Sequence, residues 1–159
     1  MKRRSLIVLV LGVLLSSVAL TAQIRTEKPN DFSFELGGKC ILYSLNYQRM
    51  IAPAFGLEVG ASYIGGGAEG ESAGVLFLSG GGRFYFINKN ASPYLSGGIV
   101  WASAITSAGP FEGDSGVYFY VSPGFELRMT GGFVFRAGVN FLIKNAFFVW
   151  PGIHLGVAF

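Results

Sequence analysis

From Pro151 to Phe159 the side chains alternate without a break. Ile153, Leu155, Val157 and Phe159 fall on one side, and Gly152, His154, Gly156 and Ala158 on the other. A period of two with one uniformly apolar face describes a β-strand. An exposed hydrophobic strand invites edge-to-edge aggregation in water. It is stable where the last strand pairs with the first and its apolar face meets lipid. The expectation for Phe159 is therefore a lipid-facing residue at a barrel rim, on a strand paired with Phe32–Gly38.

The same alternation recurs along the chain. It predicts strands over roughly Asp31–Lys39, Ile41–Met50, Leu57–Ile64, Gly74–Ile87, Tyr94–Ser103, Val117–Met129, Phe133–Ile143 and Pro151–Phe159. Most of these have about the 9–11 residues that a tilted membrane strand needs. Their apolar sets include Phe32, Phe34 and Leu36, then Leu57, Val59 and Tyr63, and later Phe119, Val121 and Phe125. The opposite faces carry Ser33 and Glu35, Ser44 and Asn46, Glu58 and Ser62, Arg136 and Asn140. A soluble barrel would turn its apolar face inward. Here the aromatic-rich face belongs outside and the glycine-, serine- and charge-rich face inside.

Composition supports the same class. Only 13% of the residues are charged, while 15% are aromatic and 24 are glycine. A soluble domain carries about 25% charged residues. Beyond the N-terminal segment, no stretch approaches the roughly 18 unbroken apolar residues of a membrane helix. A chain that is apolar overall without an apolar helix points to a membrane β-barrel.

The first residues read as an address. Lys2, Arg3 and Arg4 form a charged n-region, Leu6–Leu15 an apolar h-region, and Ser16–Ala22 a small-residue cleavage zone. This assigns residues 1–22 to a signal peptide, with cleavage after Ala22 or, as the competing choice, after Ala19. Residues 23–30 form a short periplasmic leader and 31–159 the barrel domain. Removing the signal takes three cations from the formal net charge of +3, leaving basic residues equal to the nine acidic ones. A nucleic-acid partner loses its main support. Cys40 is the only cysteine, so no intrachain disulfide forms.

Short turns are predicted at Ile51–Gly56, Asn88–Pro93 and Thr130–Gly132, with longer connections at Gly65–Ala73, Ile105–Gly116 and Lys144–Trp150. That is the outer-membrane pattern, with short turns and both termini on the periplasmic side. The first outer connection, near Gly38–Ile41, has to be tight.

The signal segment, Tyr43-Ser44-Leu45-Asn46-Tyr47-Gln48-Arg49 before a short turn, Gly56-Leu57-Glu58-Val59-Gly60 after it, and terminal Phe159 together resemble small outer-membrane β-barrel proteins. These are the OmpA-transmembrane, OmpX and OmpW kind, and the outer membrane protein β-barrel domain group of Gram-negative bacteria. The resemblance covers nearly the whole mature chain and rests on patterns rather than fixed residues. It implies an eight-stranded antiparallel transmembrane β-barrel in the cell outer membrane, monomeric and surrounded by outer-membrane lipid. It also implies recognition of the Phe159 strand by the barrel assembly machinery, although His154 stands where the terminal signal often has glycine.

Six charged residues are predicted to point into the lumen near the periplasmic ends of their strands: Glu35, Glu58, Arg83, Glu126, Arg128 and Arg136. An eight-stranded barrel has room inside for side chains and little else. Unpaired charges there are costly, so three acids and three arginines should pair across the lumen. A salt-bridged plug is favoured over a selectivity filter or proton relay. His154, the only histidine, is expected to face inward without a serine partner. Gly65–Gly70 matches a dinucleotide fingerprint in letters but lacks the following helix, so it is expected to be a surface loop. Phe147, Phe148 and Trp150 sit in or beside an outer loop and form a possible surface-interaction site. No catalytic, metal or cofactor constellation is visible, and no cofactor is expected. The expected role is structural or interactive at the surface. A narrow transport path for small hydrophobic molecules is the first alternative, and a lipid-modifying outer-membrane enzyme the second.

Overall fold

A computed structural model describes residues 24–68, 71–106 and 115–159. A short helix, α1 (Ile24–Glu27), precedes eight strands: β1 (Asn30–Gly37), β2 (Tyr43–Ala52), β3 (Phe55–Ala68), β4 (Glu71–Tyr85), β5 (Ala91–Thr106), β6 (Ser115–Arg128), β7 (Phe133–Ile143) and β8 (Phe147–Ala158). Each strand pairs antiparallel with its sequence neighbour, and β1 pairs with β8 to close the barrel. The closing register runs from Asp31 opposite Ala158 to Gly37 opposite Gly152. Two further hydrogen bonds, Phe159 N–H to the Asn30 carbonyl (2.9 Å) and Asn30 N–H to the Phe159 carbonyl (3.1 Å), seal the seam at the chain end. Closure leaves no unpaired edge, which is what a sheet surrounded by hydrocarbon requires.

Alternation decides the two surfaces. Phe32, Leu36, Leu57, Val59, Phe119, Phe125, Val157 and Phe159 are exposed on the outside. Ser33, Glu35, Asn46, Gln48, Glu58, Arg83, Glu126 and Arg136 are buried inside.

Strand ends depart from the sequence-based boundaries for physical reasons. Gly65–Ala68 continues β3, paired with Glu71–Gly74 of β4, so the part of the expected surface loop that is described belongs to a hairpin ladder. Glu69 and Gly70 lie outside the described residues, as do residues 1–23, which hold the expected signal peptide, and most of the Ile105–Gly116 connection. Phe147, Phe148 and Trp150 belong to β8 rather than a loop, since Phe147 pairs with Ile143 and Phe148 with Leu142. Backbone pairing outweighs the irregular composition at both places.

The first outer turn is tight, as its length demands. Gly37 and Gly38 have φ of 69° and 75°, and Gly38–Cys40 forms one 3₁₀ turn. A Cβ on Gly38 would overlap the Glu35 carboxylate, so this position has no room for another residue. Ile41 also takes a positive φ, 74°, where a β-branched side chain is strained. The turn folds inward, burying Lys39 and Cys40 in the lumen.

Candidate functional site

The lumen contains two layers. The layer nearer the chain ends is ionic. Glu126 on β6 stands at its centre. One carboxylate oxygen accepts from Arg136 Nε at 2.6 Å and from the Tyr85 hydroxyl at 2.6 Å. The other faces Arg25 Nε at 2.9 Å and Arg128 Nε at 3.3 Å. Asp31 on β1 receives Arg128 Nη2 at 2.7 Å and Arg136 Nη2 at 2.6 Å. Glu126 and Arg136 are directly opposite in the β6–β7 ladder, so the strand register itself sets that pair.

A second ionic group lies beside the first outer turn. Lys39 places its ammonium 2.9 Å from Glu35 and 2.8 Å from Glu58, and Arg83 Nη2 reaches Glu58 at 2.6 Å. Glu35 also accepts from Ser44 at 2.8 Å and faces His154 Nε2 at 3.2 Å. Gln48 joins the two groups, accepting from Arg83 and donating to Tyr85 at 2.9 Å. Among the described residues, four carboxylates and five cations meet in one connected network.

All six predicted lumen residues enter this network, but two details differ. Glu35 lies near the outer end of β1, beside the turn, rather than at the periplasmic end. The network also recruits Asp31, Lys39 and Arg25, which the expected three-acid, three-arginine set omitted. Asp31 shares the inward register of Ser33 and Glu35, so alternation alone could have found it. Lys39 needs the turn to fold inward, which no strand pattern reveals. Arg25 comes from the leader. Helix α1 docks across the mouth at the chain ends, and the Arg25 guanidinium lies 4.1 Å from the Tyr85 ring centre while donating to the Lys89 carbonyl at 2.6 Å.

The outer layer is apolar. Phe77, Val100, Tyr120 and Leu142 point inward and pack with Cys40, flanked by Ile64, Val75, Ala102 and Tyr118. An inward face that is small or polar throughout was expected, and this layer corrects it. Tyr118 donates its hydroxyl to the Lys39 carbonyl at 2.6 Å, tying the inserted turn to the apolar layer. Trp150 donates Nε1–H to the Ile41 carbonyl at 2.6 Å and stacks on Phe148 with ring centres 5.5 Å apart. Trp150 thus braces the strained residue of the turn, while Phe147 and Phe148 remain exposed.

The fold and its buried ionic network define the class: a small, closed, apolar-out barrel of the outer-membrane type. Comparison with solved structures agrees. The chain is similar to the N-terminal β-barrel domain of Pseudomonas aeruginosa OprF, with a TM-score of 0.59 at 12% identity, covering 83% of this chain and 98% of that one. It is also similar to Ail, the attachment invasion locus protein of Yersinia pestis, in two structures. In complex with the heparin analogue sucrose octasulfate, the TM-score is 0.49 at 15% identity, covering 81% of this chain and 92% of that one. In a phospholipid bilayer nanodisc, it is 0.49 at 13% identity, covering 82% and 98%. Neither a family model nor a curated relative matches the sequence.

Proposed function

We propose that this protein is a non-conducting outer-membrane barrel with a structural or surface-interaction role. The observation that carries the reading is the double filling of the lumen: among the described residues, an ion-paired layer lies under an apolar layer. A pore would have to desolvate a solute through the apolar layer and then separate buried ion pairs, and both steps are costly. Transport of small hydrophobic molecules would require the apolar layer to open sideways. The lipid-modifying reading would need a histidine at the lipid surface, whereas His154 is buried in the lumen against Glu35.

The decisive experiment is reconstitution of the folded chain in planar bilayers and liposomes. The expected result is no stepwise conductance and no swelling with small sugars. Steady conductance or solute flux would overturn the closed-barrel reading. A photo-crosslinker at Phe147, exposed on the outer part of β8, is expected to capture a surface partner if the role is interactive. Phe159 is proposed as the residue read by the assembly machinery, so Phe159→Ala should slow appearance of the heat-modifiable folded form in cells.

A further inference from the structure

Above the apolar layer, the outer mouth of the barrel contains two adjoining clefts. One, of about 240 Å³, lies between Val75, Ala102, Ala104, Tyr118 and Lys144. The other, of about 190 Å³, lies between Ile41, Leu142, Phe148 and the same Tyr118 and Lys144. Their floor rests on the apolar layer: Leu142 lines the smaller cleft, and Val75, Ala102 and Tyr118, which pack against that layer, line the larger. Their shared wall is held in place by the Tyr118 hydrogen bond to the Lys39 carbonyl.

Among the described residues that line these clefts, Lys144 is the one charge. Lys144 is exposed in the β7–β8 connection, and its Nζ would lie 2.6 Å from a Cβ at Gly116, so the ammonium leans over the cleft where that glycine leaves room. Among the described residues no carboxylate pairs with it. The contrast with Lys39 is informative, because Lys39 is spent on Glu35 and Glu58 inside the network.

We propose that the outer mouth binds a single-chain amphiphilic carboxylate of the medium-chain fatty-acid class. The tail would lie in the apolar clefts and the carboxylate would meet Lys144. Apolar walls with one well-placed polar group are the usual makeup of a small-molecule site, and together the clefts reach the lower part of the usual range of about 300–1,000 Å³. Burial of the tail supplies non-directional affinity, and a charge-assisted contact to the ammonium selects the head group. One lysine suits one carboxylate, whereas a polyphosphorylated head group would call for several cations. The closed floor means the ligand is held rather than passed.

The inference goes beyond the closed-barrel reading and is tested separately, since a conducting barrel would fail the bilayer experiment without altering the binding result. The test uses the folded chain in nanodiscs, with methyl resonances of Val75, Ala102 and Ala104 followed by NMR during titration with decanoate or decyltrimethylammonium. Saturable shifts with decanoate are expected, and weaker ones with the cationic analogue. Lys144→Glu should weaken decanoate binding by about tenfold or more and reverse the head-group preference. Ala104→Trp, which fills the larger cleft, should abolish saturable shifts with either probe. Should either variant lose its heat-modifiable form, Lys144→Gln replaces it, with a weakened decanoate response expected. Shifts that rise linearly without saturation would mean partition into the bilayer only. That outcome, or equal responses to both head groups, or a decanoate response indifferent to Lys144, overturns the proposal.

Discussion

The two layers of the lumen solve the same packing problem with opposite chemistry. The ionic layer fills the barrel with arginine, lysine and carboxylates that neutralise one another, and the apolar layer fills it with Phe77, Val100, Tyr120 and Leu142. Their responses to substitution should differ in kind. Removing one apolar side chain leaves a cavity whose cost scales with its volume. Removing one charge strands its partners in a low-dielectric interior, and removing both members of a pair can restore most of the loss.

Five single substitutions and one double sharpen that contrast. The largest effect is expected for Glu126→Ala, which takes the carboxylate from Arg25 and leaves Arg128 and Arg136 to share Asp31. A loss of about 3–5 kcal/mol is expected, read as a lower urea midpoint in lipid vesicles. Arg136→Ala belongs to the same class, and unchanged heat-modifiability in that variant would argue against a structural network. Pairing the loss sharpens it further: Glu58→Gln should destabilise more alone than together with Arg83→Met. Equal effects would mean that the outer ionic group contributes no coupled stability.

Phe77→Ala comes next, at about 3 kcal/mol from lost burial and the cavity left behind. No second substitution in the layer should rescue it in the way charge neutralisation rescues an ion pair. Arg25→Ala is expected to cost about 1.5 kcal/mol, because Arg128 and Arg136 still hold Glu126. An effect as large as that of Glu126→Ala would make α1 the organiser of the network rather than its cap.

The smallest thermodynamic effect concerns Cys40. Burial pushes its thiol up to about 11, so little thiolate forms near neutral pH. Maleimide labelling should be negligible in the folded barrel and complete after unfolding. Rapid labelling of the folded form would mean that the Gly38–Cys40 turn leaves the lumen.

Legibility followed periodicity. The outward set of Phe32, Phe34, Leu57, Val59, Phe119 and Phe125 follows from alternation, because a two-residue period has only two faces and only one was uniformly apolar. The inward charges were readable for the same reason. Phe77, Val100 and Leu142 carry no such signal, since an apolar residue facing inward looks in sequence like one facing lipid. The extension of β8 to Phe147 is hidden by Asn145, which lies in the turn, and by Pro151, through which the ladder with β7 continues.

The sequence by itself determined a closed, apolar-out antiparallel barrel, because local alternation recurs across eight segments and an unclosed sheet cannot survive in hydrocarbon. Only the tertiary structure decided how the lumen is filled. Lys39 enters by a turn folded on two positive-φ glycines, and Arg25 by a helix docked across the mouth. Which carboxylate each cation meets depends on strand register and on contacts across the barrel, such as the 101 residues separating Arg25 from Glu126. Pattern along a chain fixes which side a residue faces, and only closure in three dimensions fixes what it faces there.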